Sequence, residues 1–107
     1  SRERFKMSMD LNDLFPATQL GGVSNRFVLE TMKGTAPIRS RYNQIAVPLL
    51  VFNAGIETYS VPEEMVKLCE EAQNCKRTFY PTAKHELLME RDEVRDGLLK
   101  EIEIFFQ

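Results

Sequence analysis

Residues 45–52 read Ile-Ala-Val-Pro-Leu-Leu-Val-Phe, a near-continuous apolar run of eight that constrains the fold more than any other segment. Unbroken hydrophobicity suits a strand buried on both faces, as in a parallel sheet; strict alternation would mark a sheet with one wet face. Pro48 has no N–H to give a ladder, so it belongs at or near the strand's start. The run closes in Asn53-Ala54-Gly55, which reads as a loop. Ser60-Val61-Pro62-Glu63 then opens a helix, with Ser60 and Glu63 at capping-box spacing and Pro62 in the tolerant first turn. Met65, Leu68, Cys69 and Ala72 recur at i, i+3, i+4, i+7 and give that helix one apolar face to about Asn74. Lys76–Tyr80 is a second, short strand bounded by Pro81. A loop runs through His85, and Asp92 caps a last helix with the stripe Val94, Leu98, Leu99, Ile102, Phe105 and Phe106. Strand, helix, strand, helix implies parallel strands joined by a right-handed crossover, an α/β fold.

Two parallel strands and their helices do not close a core alone. The expectation is a fragment whose strands extend a larger sheet. The absence of an initiator methionine and the charged opening Ser-Arg-Glu-Arg-Phe-Lys point the same way. The sheet edge so exposed predicts that the isolated piece associates with itself. Before residue 44 the chain is irregular and rich in Gly, Pro, Ser, Thr and Asn. Ser1–Asp13 carries Phe5 and Met9 one helical turn apart. Phe15-Pro16 and Gly21-Gly22 break the chain, and Val23–Lys33 is helical with Gly34 as its stop. Pro37 opens another short helix reaching about Asn43.

Composition narrows the function classes. Hydrophobic residues at 43% and charged residues at 28% describe a globular chain rather than a disordered tail. A net charge of −2 gives no basic footprint for nucleic acid. The apolar run is far short of the about 20 residues that span a bilayer, and the charged N-terminus is not a signal peptide. Cys69 and Cys75 are the only cysteines, too few for a disulfide framework, and read as free thiols in a reducing, cytoplasmic setting. One histidine and two cysteines do not make a zinc site.

In open parallel sheets reactive groups sit beyond the carboxyl ends of the strands. Glu57 and His85 each follow a strand by five residues, on loops that open at the same edge. A carboxylate beside an imidazole is the equipment of nucleophilic acyl transfer: the histidine shuttles the nucleophile's proton and the carboxylate fixes its tautomer. Glu86 and Glu90 are closer to His85 in sequence and read equally as solvated charges, partners of Arg91 or a helix cap. A lone histidine is also more commonly an ordinary surface or core residue. The nucleophile is missing: of Ser1, Ser8, Ser24, Ser40 and Ser60, none lies in Gly-x-Ser-x-Gly. Gly22-Val23-Ser24-Asn25-Arg26 lacks the second glycine and a buried strand before it.

Ala83-Lys84-His85-Glu86-Leu87-Leu88-Met89-Glu90, with Arg91–Arg95 and the terminal Ile102-x-Ile104-Phe105-Phe106, resembles the C-terminal histidine segment of bacterial lysophospholipases; the monoacylglycerol lipases share it more loosely. Val47–Gly55 resembles the strand leading to the triad acid, and the opening residues with Gly21-Gly22 and the Phe27-bearing helix resemble the cap region. The resemblance implies an α/β-hydrolase fold, with residues 1–44 as part of a helical cap and residues 45–107 as the C-terminal part of the core. It implies a Ser–Asp/Glu–His triad without metal or cofactor, and a lysophospholipid or monoacylglycerol ester as substrate. His85 is then the general base and acid, and Glu57 the acid member where many relatives carry aspartate. The nucleophile and oxyanion hole lie upstream of residue 1, so the piece alone is inactive. Phe27 and Met32 are candidate acyl-chain contacts or ordinary packing residues. A lipid substrate further implies peripheral contact of the whole enzyme with the inner membrane. Two rival readings stand beside this one: a non-catalytic α/β binding or assembly module, and an α/β-hydrolase acting on a haloalkane, epoxide or thioester.

Overall fold

The computed structural model describes residues 1–107, which fall into two compact units: Arg2–Arg41, and Ser1 with Tyr42–Gln107. The first holds helices α1 (Arg2–Leu14) and α2 (Asn25–Arg39), with a 3-10 turn at Pro16–Thr18 between them. Ser24 caps α2, its Oγ accepting the Phe27 N–H at 3.1 Å. α2 runs as a single helix through Gly34 and Pro37, where the sequence predicts a stop and a fresh start. Gly34 does not adopt the left-handed conformation that would end the helix. Pro37 removes the donor for one carbonyl. Nearby hydroxyls serve others, with Thr35 Oγ1 donating to Met32 O and Ser40 Oγ to Pro37 O. Phe27 and Met32 are both exposed.

The second unit reads Tyr42–Gln44 (3-10), β1 (Leu49–Ile56), α3 (Pro62–Glu71), β2 (Cys75–Lys84), Leu87–Met89 (3-10) and α4 (Asp92–Phe105). β1 and β2 pair in parallel, as the element order predicts. The strands are offset from their predicted bounds. Pro48 lacks a donor, so β1 begins at Leu49, whose N–H donates to Asn74 O at 2.8 Å. It then continues through Asn53-Ala54-Gly55, predicted as a loop, because the ladder to β2 runs on opposite them. β2 likewise passes Pro81 and ends four residues beyond the predicted Tyr80.

Alternation along the strands assigns the helices to opposite faces. Asn53 donates from Nδ2 to Met65 Sδ of α3 at 3.0 Å, and Cys75 of β2, on the same face, bonds to Cys69 of α3. Thr78 and Tyr80 of β2 point the other way, where their hydroxyls donate to Glu101 of α4 at 2.6 and 3.2 Å, joined by Lys76 at 3.2 Å. The cysteines are therefore a disulfide and not the free thiols expected. Two cysteines are too few for a framework, but one at the end of a helix and one opening the next strand stand 5.1 Å apart at Cα, within bonding range.

Helix starts also depart from expectation by one position. Ser60 is not the cap of α3; Val61 holds that position without a side-chain bond, and Pro62 begins the helix. Asp92 is the first residue of α4 rather than its cap. The buried set is Tyr42, Asn53, Ala54, Ala72, Ala83 and Leu98, and no bulky side chain is wholly withdrawn from water. Phe79 stays 53% exposed although it sits mid-strand, as a sheet of only two strands demands. No helix is long and apolar enough to cross a membrane.

Candidate active site

The register of the two strands positions the site. Pairing runs from Leu49↔Cys75 to Ala54↔Tyr80, an offset of 75 − 49 = 26, and resumes at Ile56↔Lys84, an offset of 84 − 56 = 28. β2 thus holds two extra residues in a bulge opposite Gly55. A Cβ on Gly55 would lie 2.1 Å from Pro81 O and 2.5 Å from Pro81 C, so only glycine lets the bulged backbone approach. The bulge has a chemical consequence. One residue beyond the Ile56↔Lys84 pair stand Glu57 and His85, side by side. With the offset unchanged at 26, Glu57 would face position 57 + 26 = 83, the buried Ala83.

Glu57 and His85 meet. His85 Nδ1 lies 2.9 Å from Glu57 Oε1 and 2.8 Å from Oε2. The carboxylate is held from behind by three successive backbone amides: Thr58 N–H and Tyr59 N–H donate to Oε1 at 2.8 Å each, and Ser60 N–H at 3.2 Å. Its side chain is only 5% exposed, against 41% for the imidazole. The hydrogen bond from His85, and next the Tyr59 amide, hold the Glu57 carboxyl down at about 2, against 4.5 ordinarily; burial opposes them and loses. A carboxylate ionised at neutral pH can only accept, so Nδ1 carries the proton and Nε2 is the basic nitrogen of the neutral ring. Tyr59 sets its ring edge-on to the imidazole, with centroids 5.1 Å apart at 64°.

The loop after His85 is tied as well. Leu87 N–H donates to His85 O at 3.1 Å and opens the turn Leu87–Met89. Glu90 Oε1 accepts the Lys84 N–H at 2.8 Å, and that bond holds the Glu90 carboxyl below its usual range. In the sequence Glu90 reads equally as a solvated charge, a partner of Arg91 or a helix cap, because a carboxylate six residues after the amide it serves has no periodic signature.

Three of the five serines are engaged elsewhere. Ser24 caps α2, Ser40 Oγ donates to Pro37 O, and Ser60 gives its N–H to Glu57 with its Oγ buried. The geometry can therefore orient an imidazole, fix its tautomer and stabilise its protonated form. These are the services that a nucleophilic hydrolase requires of its acid and base groups.

Residues 9–92, which include both Glu57 and His85, match the family Hydrolase_4, described as serine aminopeptidase, S33. Among curated proteins, the probable lysophospholipase L2 of Haemophilus influenzae is 29% identical over 104 residues, covering 97% of this chain and 33% of that protein. The chain spans about a third of the length of the relative it matches. The parallel βαβα arrangement is that of a partial α/β-hydrolase fold. The match covers well over half of these residues, and the chain belongs to the S33 α/β-hydrolase family.

Proposed function

We propose that residues 1–107 form the C-terminal portion of a serine ester hydrolase that cleaves lysophospholipids or monoacylglycerols. In this reading His85 is the general base and acid, Glu57 is the acid member of the triad, and residues 1–44 belong to a helical cap. The nucleophile and oxyanion hole lie outside these residues. The observation that carries the proposal is the Glu57–His85 pair, with its carboxylate seated on three amides.

The steps follow from the tautomer. Nε2 accepts the proton of the serine hydroxyl as its oxygen attacks the ester carbonyl, and the imidazolium formed is stabilised by Glu57 across Nδ1–H. The same proton passes to the glycerol oxygen as the ester C–O bond breaks, leaving an acyl-enzyme. Water, deprotonated in turn by Nε2, attacks the acyl carbon; the serine leaves with the proton and a fatty acid is released. No metal or cofactor enters these steps. A lipid substrate would bring the whole enzyme to a membrane surface.

A fluorophosphonate probe applied to the full-length natural chain carrying this segment tests the proposal. Labelling is expected in the wild type and should fall by roughly 10³-fold or more in His85→Ala, because a nucleophilic hydroxyl needs its base. No labelling of the wild type would overturn the serine-hydrolase reading and favour a binding module. The family description favours one second reading, hydrolysis of an N-terminal peptide bond. An aminoacyl-amide substrate turned over faster than a monoacylglycerol would support it.

A further inference from the structure

We infer that Glu90 is a positioning residue for His85: its carboxylate, bound to the Lys84 amide, holds the backbone that aims the imidazole. This rests on the reading of His85 as the catalytic base and deepens it.

His85 stands one residue beyond the end of β2, where the ladder to β1 no longer fixes the chain. A residue at such a point has free backbone torsions unless something else ties it. Glu90 supplies the tie at both ends of the loop. Its Oε1 accepts the N–H of Lys84, immediately before His85, at 2.8 Å. Its own N–H donates to Leu87 O at 3.2 Å, while the Leu87 N–H donates to His85 O at 3.1 Å. Side chain and main chain of one residue thus close the segment Lys84–Glu90 into a ring with His85 inside it. The bond to Lys84 is charge-assisted, the stronger class. Glu86, also in the loop, is exposed, whereas Glu90 is half-buried. Glu90 bonds the backbone just before His85, so its effect is on aim and not on the chemistry itself.

The test uses the full-length natural chain, with rates normalised to active sites. Glu90→Ala removes the acceptor and should lower kcat about tenfold with KM within about twofold, since a small misplacement of a reacting group costs rate rather than ground-state binding. Glu90→Gln keeps an acceptor of the same reach and should recover kcat to within about threefold of wild type, the carboxylate bond being the stronger. Glu90→Asp, one methylene short, should behave like the alanine variant. A scaffold role alone would lower Tm and the fraction of active sites, and would leave kcat per active site unchanged. His85→Ala is run beside them. Activity surviving in His85→Ala overturns the catalytic reading itself. Activity lost there but wild-type kcat in Glu90→Ala overturns only the role of Glu90. Should Glu90→Ala fail to fold, hydrogen exchange of the Lys84 amide decides: protection in the wild type that weakens in Glu90→Gln supports the inference, and exchange at the rate of an open chain in the wild type overturns it.

Discussion

Gly55→Ala probes the link between register and site. The added Cβ would lie 2.1 Å from Pro81 O, 2.5 Å from Pro81 C and 2.6 Å from Pro81 Cα, all backbone atoms that cannot swing aside. Reaching the near edge of ordinary contact at 3.4 Å requires β1 and β2 to part by 3.4 − 2.1, about 1.3 Å, against a normal strand spacing of about 4.8 Å. Overpacking of this kind costs about 1–3 kcal/mol, and a ladder bond lost at the bulge adds about 1 kcal/mol. The total of roughly 2–4 kcal/mol should lower the Tm of the full-length enzyme by roughly 5–10 °C. Activity should suffer more than stability. The parting occurs two residues before Glu57 and four before His85, and a misplacement of about 1 Å costs on the order of 10²-fold in rate. Thermal unfolding and kcat on a chromogenic short-chain ester measure both. Gly34→Ala is the control: nothing lies within 4 Å of its Cβ inside α2, so it should stabilise by about 0.5–1 kcal/mol and leave kcat unchanged. A Gly55→Ala enzyme with wild-type Tm and kcat would refute the argument that the bulge sets the pair.

The remaining expectations concern the carboxylate and the disulfide. Glu57 has a folded-state value of about 2, below its unfolded 4.5, so the stability it adds is complete above about pH 4.5 and vanishes as pH falls through 2. The Tm gap between wild type and Glu57→Gln should therefore be widest above pH 5 and close toward pH 2, while kcat at pH 7 drops by roughly 10³–10⁴-fold because the amide leaves the ring in the wrong tautomer; a gap independent of pH would contradict this. Reducing Cys69–Cys75 frees a short loop, with separation 6, between α3 and β2. Dithiothreitol should cost roughly 2 kcal/mol in unfolding free energy, and an unchanged Tm with two thiols titrating before reduction would argue against the bond.

The sequence carries the fold through its local patterns and loses the site's geometry where distant backbones meet. The apolar run at 45–52, the stripe of Met65, Leu68, Cys69 and Ala72, and that of α4 each betray an element because burial imposes a period on neighbours. Parallel pairing follows from their order. Helix boundaries slip by one residue at Ser60 and Asp92, since a cap depends on which N–H the chain turns toward it. Gly34 and Pro37 mislead because a glycine stops a helix only when it turns left-handed, and here the helix simply continues. The free-thiol expectation fails for another reason: counting cysteines says nothing about two that a helix–strand turn brings to 5.1 Å.

Glu57 and His85 show where the boundary between legible and illegible falls. Each is visible as a polar residue five positions past a predicted strand, and that prediction places both strand ends too early. The actual strands run through Ile56 and Lys84, so the two residues stand directly at the strand termini rather than out on loops. Loop residues would meet only by chance. Residues fixed by the last ladder pair meet by register, and a two-residue bulge decides whether Glu57 faces His85 or Ala83. The bulge leaves only Gly55 and Pro81 as its trace in the sequence, an apparent loop and an apparent strand end. Both residues interrupt the patterns used to find strands. The feature that most determines whether this pair can act is therefore written in the residues that a pattern search treats as boundaries.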